Sequence, residues 1–251
     1  MRNYGLILET QAPEDYKSGD GNLGSTLLNP EGDWRPFIPF AEYQNLGGIE
    51  PYACVSFGHT NAIETLIFKQ FEFKTNWSDR FIAKASDTQV GGNSPHKVAE
   101  YIRKLGLVEE GLWPFSPEIQ SFADYYQTLP PKLFQQARQF LAEYTFKHAW
   151  VPKEALRDSL KFSPIGISVA AWFKGEDGLY YAPDGVQDNH WCLLVYSKKG
   201  EYDVVFDSYP DDGETFKKLV PDMRHSMAKR YEVKKNQRET WFAEILKRFF
   251  T

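Results

Sequence analysis

The sequence has little cysteine, no long apolar run and no excess of positive charge. Only two cysteines occur in 251 residues, Cys54 and Cys192. That excludes a disulfide scaffold and makes a reducing compartment the default expectation. Two cysteines, with five histidines scattered at 59, 96, 148, 190 and 225, cannot build a zinc ribbon. There is no HExxH zinc motif, no phosphate-binding loop and no dinucleotide-binding glycine fingerprint. Neither a metal nor an organic cofactor is expected. No apolar stretch approaches the ~18 residues of a membrane span. The opening residues Met1 to Glu9 lack the apolar stretch and small-residue cleavage site of a signal peptide, so export by a recognisable signal is not expected. Lys and Arg number 29 against 34 Asp and Glu, a net charge of −5, which argues against a dedicated nucleic-acid binder.

What is present fits a folded globular chain. Hydrophobic residues make up 42% and aromatics 16%, enough to bury a sizeable core in one large domain or two small lobes. Charged residues at 25% are close to the globular norm and exclude a mostly disordered chain.

Residues 1–53 read as loop and extended segments, dense in Gly, Pro, Asp and Asn at 18–22 and 29–33. Trp34, Phe37, Ile38 and Phe40 are the apolar anchors of this arm. Residues 54–70 carry apolar side chains at 55, 57, 63, 66 and 67, a helical stripe, so Cys54 falls at the N-terminus of a helix. A second helix is marked by Ser94 as cap, Pro95 at the first position, a stripe of Val98, Ile102 and Leu105, and Gly106 as stop. A third is expected over about 131–147 after Pro130-Pro131, and a short fourth over 153–161. From 164 the period changes. Residues 165–172 read as a buried strand, and 190–196 and 202–206 as a hairpin around Ser197-Lys-Lys-Gly-Glu201. A strand at 229–233 and a closing helix at 239–250 complete the expectation. Helices first and sheet second predict an α+β protein with two lobes and a cleft between them.

The candidate chemistry starts at Cys54. A cysteine at a helix N-terminus meets free backbone N–H groups and the positive end of the helix dipole, and both favour the thiolate. The competing reading is a buried structural cysteine. In the hairpin, His190, Cys192, Leu194 and Tyr196 share one face. Centring the turn near Lys199 brings Asp207 and Ser208 beside His190. A carboxylate next to an imidazole fixes its tautomer and stabilises the imidazolium. A helix-borne Cys in the first half and a His–Asp pair on a hairpin in the second is the layout of a Cys–His–Asx nucleophile site built across a cleft. The plainer readings are a satisfied core histidine and a strand-end aspartate.

At these residues the chain resembles the papain-like (C1-type) cysteine peptidases. Gln44 and Tyr52-Ala53-Cys54-Val55-Ser56-Phe57 resemble the family's glutamine, cysteine and aromatic block. Val90-Gly91-Gly92-Asn93-Ser94-Pro95, then Gly106-Leu107-Val108 and Trp113-Pro114-Phe115, resemble its glycine pair, helix and "Tyr-Pro-Tyr" stretch. Ser163 to Val169 resembles the "Gly-Pro-Val-Ser-Val" strand, Asn189-His190-Trp191 the histidine motif, and Phe206-Asp207-Ser208-Tyr209 the "Lys-Asn-Ser-Trp" motif. The matches run in family order over roughly residues 40–210. The resemblance implies a papain-like fold with a helical left lobe over about 54–130, a β-rich, barrel-like right lobe over about 131–251 and an N-terminal arm over 1–53. It implies acyl transfer by Cys54 with His190 as imidazolium partner, Asp207 orienting His190, and Gln44 aiding the oxyanion. Gly91 and Gly92 would present backbone to an extended peptide substrate, and Trp191, with Ile165 and Val169, would line a substrate pocket.

Three departures stand out. The family's glutamine usually lies six residues before the cysteine; that position is Gly48 here, and Gln44 lies ten before. Asp207 stands where asparagine is usual. The family's disulfides are absent, and there is no room for a long inhibitory propeptide, so residues 1–53 are expected to be part of the domain or a short regulatory arm. The combination resembles compact papain-like proteins of bacteriophage and bacterial genomes, in a reducing cytoplasm or a virion. Three rivals stay open: a peptidoglycan-peptide amidase with the same chemistry, a non-enzymatic component assembled into a larger particle such as a virion, and a binding module with a coincidental Cys–His pair. Asp211, Asp212 and Glu214 form an acidic loop read as solvated charge.

Overall fold

The computed structural model describes residues 4–10, 23–210, 213–221, 223 and 225–236. The helices come first. They are α1 (Cys54–Phe71), α2 (Asp79–Ala85), α3 (Pro95–Leu105), α4 (Phe122–Tyr125) and α5 (Pro131–Glu143). Strand β1 (Tyr144–Trp150) and the single turn α6 (Leu156–Ser159) follow. Then come β2 (Ile165–Val169), β3 (Phe173–Lys174), β4 (Tyr180–Tyr181), β5 (His190–Lys198), β6 (Tyr202–Phe206), β7 (Phe216–Leu219) and β8 (Ala228–Lys235). Among the described residues the strands join in one sheet, in the order β1-β8-β2-β5-β6-β7-β4-β3. The architecture is α+β, as the pattern predicts. The expected helix at 239–250 lies outside the described residues, as do Asp211 and Asp212.

Helix α1 departs from the one-stripe expectation. Every residue from Cys54 to Ile67 is buried, because the helix runs between the other helices and strands β5, β8 and β2. Several of its buried polar groups are paired within the protein, though the Ser56 hydroxyl is not. His59 Nε2 meets the Pro95 carbonyl at 2.8 Å, and Glu64 accepts the Trp77 N–H at 2.6 Å. Helix α3 forms as expected. The Ser94 hydroxyl accepts the Lys97 N–H at 3.0 Å, Pro95 needs no partner for its missing N–H, and Gly106 takes a φ of 89° that ends the helix.

The third expected helix is too long. It stops at Glu143, and Tyr144–Trp150 forms β1, paired in antiparallel register with β8. The alternation Tyr144, Phe146, His148 and Trp150 is the strand period, and all four are buried. The strand expected over 165–172 ends at Val169.

The hairpin that carries the site is β5–β6. Leu193 pairs with Phe206 and Leu194 with Val205, but Tyr196 pairs with Val204, so one extra residue bulges out at Val195. The bulge breaks the shared face expected to run from His190 through Tyr196. Val169 of β2 pairs with His190, and Val205 of β6 pairs with Lys217 of β7.

Candidate active site

Cys54 is the first residue of α1, reached through a tight turn in which Tyr52 takes a φ of 56°. The backbone N–H groups of Trp191, the residue after His190, and of Val55 lie near enough to the Cys54 thiol to favour its charged form. Helix start and hairpin therefore meet at the sulfur. The His190 ring lies across Asp207, with Nε2 to Oδ1 at 2.7 Å and both side chains out of solvent. On the other side of the ring Nδ1 makes no hydrogen bond. Burial pushes the Asp207 carboxyl up, but the neighbouring His190 and the Lys217 ammonium more than offset it, so the group stays below the ordinary carboxylate range. It is a carboxylate at neutral pH.

The thiol runs against the sequence expectation. A helix N-terminus was expected to lower its pKa, yet burial pushes it well above its ordinary value, with the Glu50 and Asp207 charges adding to the rise. The two N–H groups at the sulfur do not offset this. The closed arrangement holds Cys54 as a neutral thiol. Cys192 is likewise a free, buried thiol.

The covering layer is the chain's own arm. The Tyr4 ring packs on His190, with centroids 4.9 Å apart, and its N–H donates to the Asn189 carbonyl at 3.3 Å. Tyr209 and Trp172 close the remaining sides of the imidazole at 5.5 and 5.7 Å. Beyond Tyr4 the arm lies along the glycine pair. The Asn93 N–H donates to the Gly5 carbonyl, and the Ile7 N–H to the Asn93 carbonyl, both at 3.0 Å. Glu9 accepts the His96 N–H at 2.7 Å and the Ser94 hydroxyl, which clips the arm to the start of α3. A Cβ at Gly92 would lie 1.9 Å from the Gly5 carbonyl oxygen, and one at Gly5 would lie 2.2 Å from that of Tyr52. The backbone that pairs with residues 5–7 is that of Asn93, whereas Gly92 bonds Gln89 through both its N–H and its carbonyl. The peptide-holding role expected of Gly91 and Gly92 falls to the next residue, and Gly92, with φ of 111°, leaves room for the arm to pass.

Gln44 is fully buried beside the hairpin end. Its carboxamide Nε2 donates to the Ser208 hydroxyl at 2.6 Å, and its Oε1 has no partner. With the amide turned over, the Ser208 hydroxyl donates to Oε1 and the NH₂ becomes the free end. Trp191 contributes backbone rather than pocket wall. Its indole is buried between Gly58 and Gly166, where an added Cβ would meet the ring at 2.6 and 2.5 Å. Ile165 and Val169 are fully buried in β2. Among the described residues no group of three or more His, Cys, Asp or Glu is set to hold a metal ion, and no helix is long and apolar enough to cross a membrane.

Sequence reasoning missed Tyr4 and Lys217. Nothing local marks Tyr4, whose contacts with His190, Tyr209 and Asn189 join residues distant in the chain. Lys217 left a trace. In Phe216-Lys-Lys-Leu219 the strand period puts Lys217 on the same face as buried Leu219, and a lysine there needs a counter-charge.

No family model matches the sequence, and no curated protein is similar to it by sequence. Solved structures are similar in fold. Xylellain, a cysteine protease from Xylella fastidiosa, superposes with a TM-score of 0.67 at 15% identity, covering 94% of this chain and 98% of that one. Digestive procathepsin L 3 from the larval midgut of Tenebrio molitor gives 0.62 at 21% identity, covering 91% and 76%. Procathepsin L2 from the same source gives 0.65 at 18%, covering 91% and 78%.

The fold is papain-like. The structural neighbours are cysteine proteases, and this chain shares their arrangement of helices and sheet over more than nine-tenths of its length.

Proposed function

We propose that the protein is a cysteine-type peptide hydrolase whose cleft is closed by its own N-terminal arm. The observation that carries this reading is the His190–Asp207 bond of 2.7 Å, made through Nε2, which leaves Nδ1 without a hydrogen bond, while the next residue, Trp191, approaches the helix-borne Cys54 with its backbone N–H. Papain-like neighbours that are proteases support the reaction class.

In the proposed reaction, displacement of the arm admits solvent and substrate. Proton transfer from Cys54 to His190 gives the thiolate–imidazolium pair, with Asp207 accepting a hydrogen bond from Nε2–H and fixing the ring. The sulfur adds to the scissile carbonyl. The oxyanion takes the Cys54 backbone N–H, which at the first residue of a helix has no intrahelical acceptor, helped by the turned-over amide of Gln44. His190 gives its proton to the departing amine, then takes one from the water that hydrolyses the thioester. The Asn93 backbone, beside Gly91 and Gly92, would hold the substrate backbone where residues 5–7 now lie.

Turnover of a mixed peptide library by the full chain carrying Gly5→Ala, compared with the same chain carrying Cys54→Ser, tests this reading. Cleavage lost with the cysteine supports it. Cleavage only of peptidoglycan peptides redirects it to an amidase. No cleavage of either leaves a non-enzymatic component of a larger assembly as the better reading.

A further inference from the structure

We propose that Lys217 is a positioning residue of this site: its ammonium neutralises Asp207, so that the buried pair meets His190 as a hydrogen-bond acceptor without net charge. The inference rests on the peptidase reading of Cys54 and His190.

Lys217 is fully buried in β7. Its Nζ donates to Asp207 Oδ2 at 2.8 Å, to the Glu214 carbonyl at 3.2 Å and to the Tyr209 carbonyl. Three donors meet three acceptors, so the ammonium is satisfied without water. Trp172 and Tyr180 stand over it at 5.4 and 5.8 Å. The Glu214 carboxylate is engaged elsewhere, with Lys174 and the Tyr180 hydroxyl. Asp207 divides its two oxygens between His190 and Lys217.

A buried ammonium is costly, and an apolar residue in the same strand position would pack at less expense. What the lysine supplies is charge. A bare carboxylate against a buried imidazole stabilises the imidazolium and makes its proton harder to give away. An asparagine in that place holds the ring with no such effect. Asp207 with Lys217 reproduces the neutral acceptor from two opposite charges. Among the described residues, the other ionisable groups facing this network are Tyr4 and Tyr209 on the ring, Tyr180 over the ammonium, Cys192, and Cys54 with Glu50 at the sulfur, none of them a cation.

The test compares four full-length proteins, each carrying Gly5→Ala to unseat the arm: the parent, Lys217→Met, Asp207→Asn, and both together. Two readouts are taken, the melting midpoint and the pH profile of Cys54 alkylation by iodoacetamide alongside peptide turnover. Each single variant should melt several degrees lower, and the double variant should recover at least half of the summed loss. Additive losses overturn the proposal. Lys217→Met should move the alkaline limb of the turnover profile up by ~1 pH unit, because the uncompensated carboxylate holds the imidazolium longer. The double variant should bring the limb back to within half a unit of the parent. A lysine that only props the fold lowers the midpoint and leaves the limb in place, which overturns the proposal. If Lys217→Met does not fold alone, the double variant decides: a folded double variant without turnover, or with a displaced limb, overturns it. A parent whose Cys54 is alkylated at no pH until unfolded overturns the peptidase reading and this inference together. A reactive parent with an unmoved limb overturns this inference alone.

Discussion

The Tyr4 ring lies on the His190 imidazole at 4.9 Å between centroids, tilted by 46°, and so seals the residue that would carry the proton. Tyr209 meets the same ring and also meets Tyr4 edge-on at 5.0 Å. The next arm residue, Gly5, packs against the Tyr52 carbonyl two residues before Cys54, so the arm also lies close to the buried thiol.

Displacing the arm should therefore expose the thiol. A methyl group at Gly5 would run into the Tyr52 carbonyl, and Gly5 has a φ of 99° that disfavours other residues. Gly5→Ala should raise the rate of Cys54 alkylation by ~10-fold or more, since reactivity follows exposure and thiolate fraction. Tyr4→Ala should act in the same direction with a smaller effect. Timed iodoacetamide labelling read by peptide mass checks both.

Removing the nucleophile should cost activity and little else. Cys54→Ser in the arm-displaced chain should lower turnover by ~10³-fold or more, because the hydroxyl is a far weaker nucleophile without a dedicated base of matched strength. The Trp191 and Val55 N–H groups at that position serve an oxygen as well as a sulfur. Melting midpoint and peptide kinetics, measured on one preparation, separate the two effects.

The helical half should show its own pH dependence. Burial pushes Glu110 up to about 8, with the Glu42 charge adding and the Phe115 N–H at 2.6 Å opposing. Its folded pKa exceeds the unfolded ~4.3, so the folded state binds the proton more tightly. The stability it contributes is complete below ~4.3 and is lost as pH rises through about 8. Glu110→Gln should leave the midpoint nearly unchanged at pH ~5 and raise it at pH ~8.5. Thermal melts across that range read the sign directly.

The packing of α1 against β5 should be intolerant of added volume. A Cβ at Gly58 would sit 2.6 Å from Trp191, whose ring is locked on its other face by Gly166. Gly58→Ala should destabilise by about 1–3 kcal/mol, the cost of overpacking a filled core. Because the Trp191 backbone N–H lies near Cys54, the same variant should also lower turnover. Urea denaturation gives the first effect and peptide kinetics the second.

Much of the site could be read from sequence because its parts rest on local signals. Ser197-Lys-Lys-Gly-Glu201 marks the hairpin, and hairpin register alone brings Asp207 to His190 despite the bulge at Val195. Ser94, Pro95 and Gly106 bracket α3 because caps and stops are properties of single residues. The misses are of another kind. No glycine or proline separates α5 from β1, so the helical period runs into Tyr144 and only tertiary pairing with β8 decides the switch. The two-residue strands β3 and β4 are too short to carry a period. At Cys54 the helix terminus is a local signal that favours the thiolate, whereas the burial that outweighs it is tertiary and leaves no local trace. Lys217 needed both the strand face and its partner to be recognised.

The most direct measurement is intact-mass analysis of the Gly5→Ala chain after exposure to a peptidyl epoxide that traps activated thiolates. At pH ~6, below the ordinary range of a free thiol, the account predicts one adduct, mapped to Cys54 and not to Cys192. The adduct should disappear with His190→Ala, because the cation that holds the thiolate is gone. A folded protein that takes no adduct at Cys54, or one labelled equally well without His190, contradicts the account.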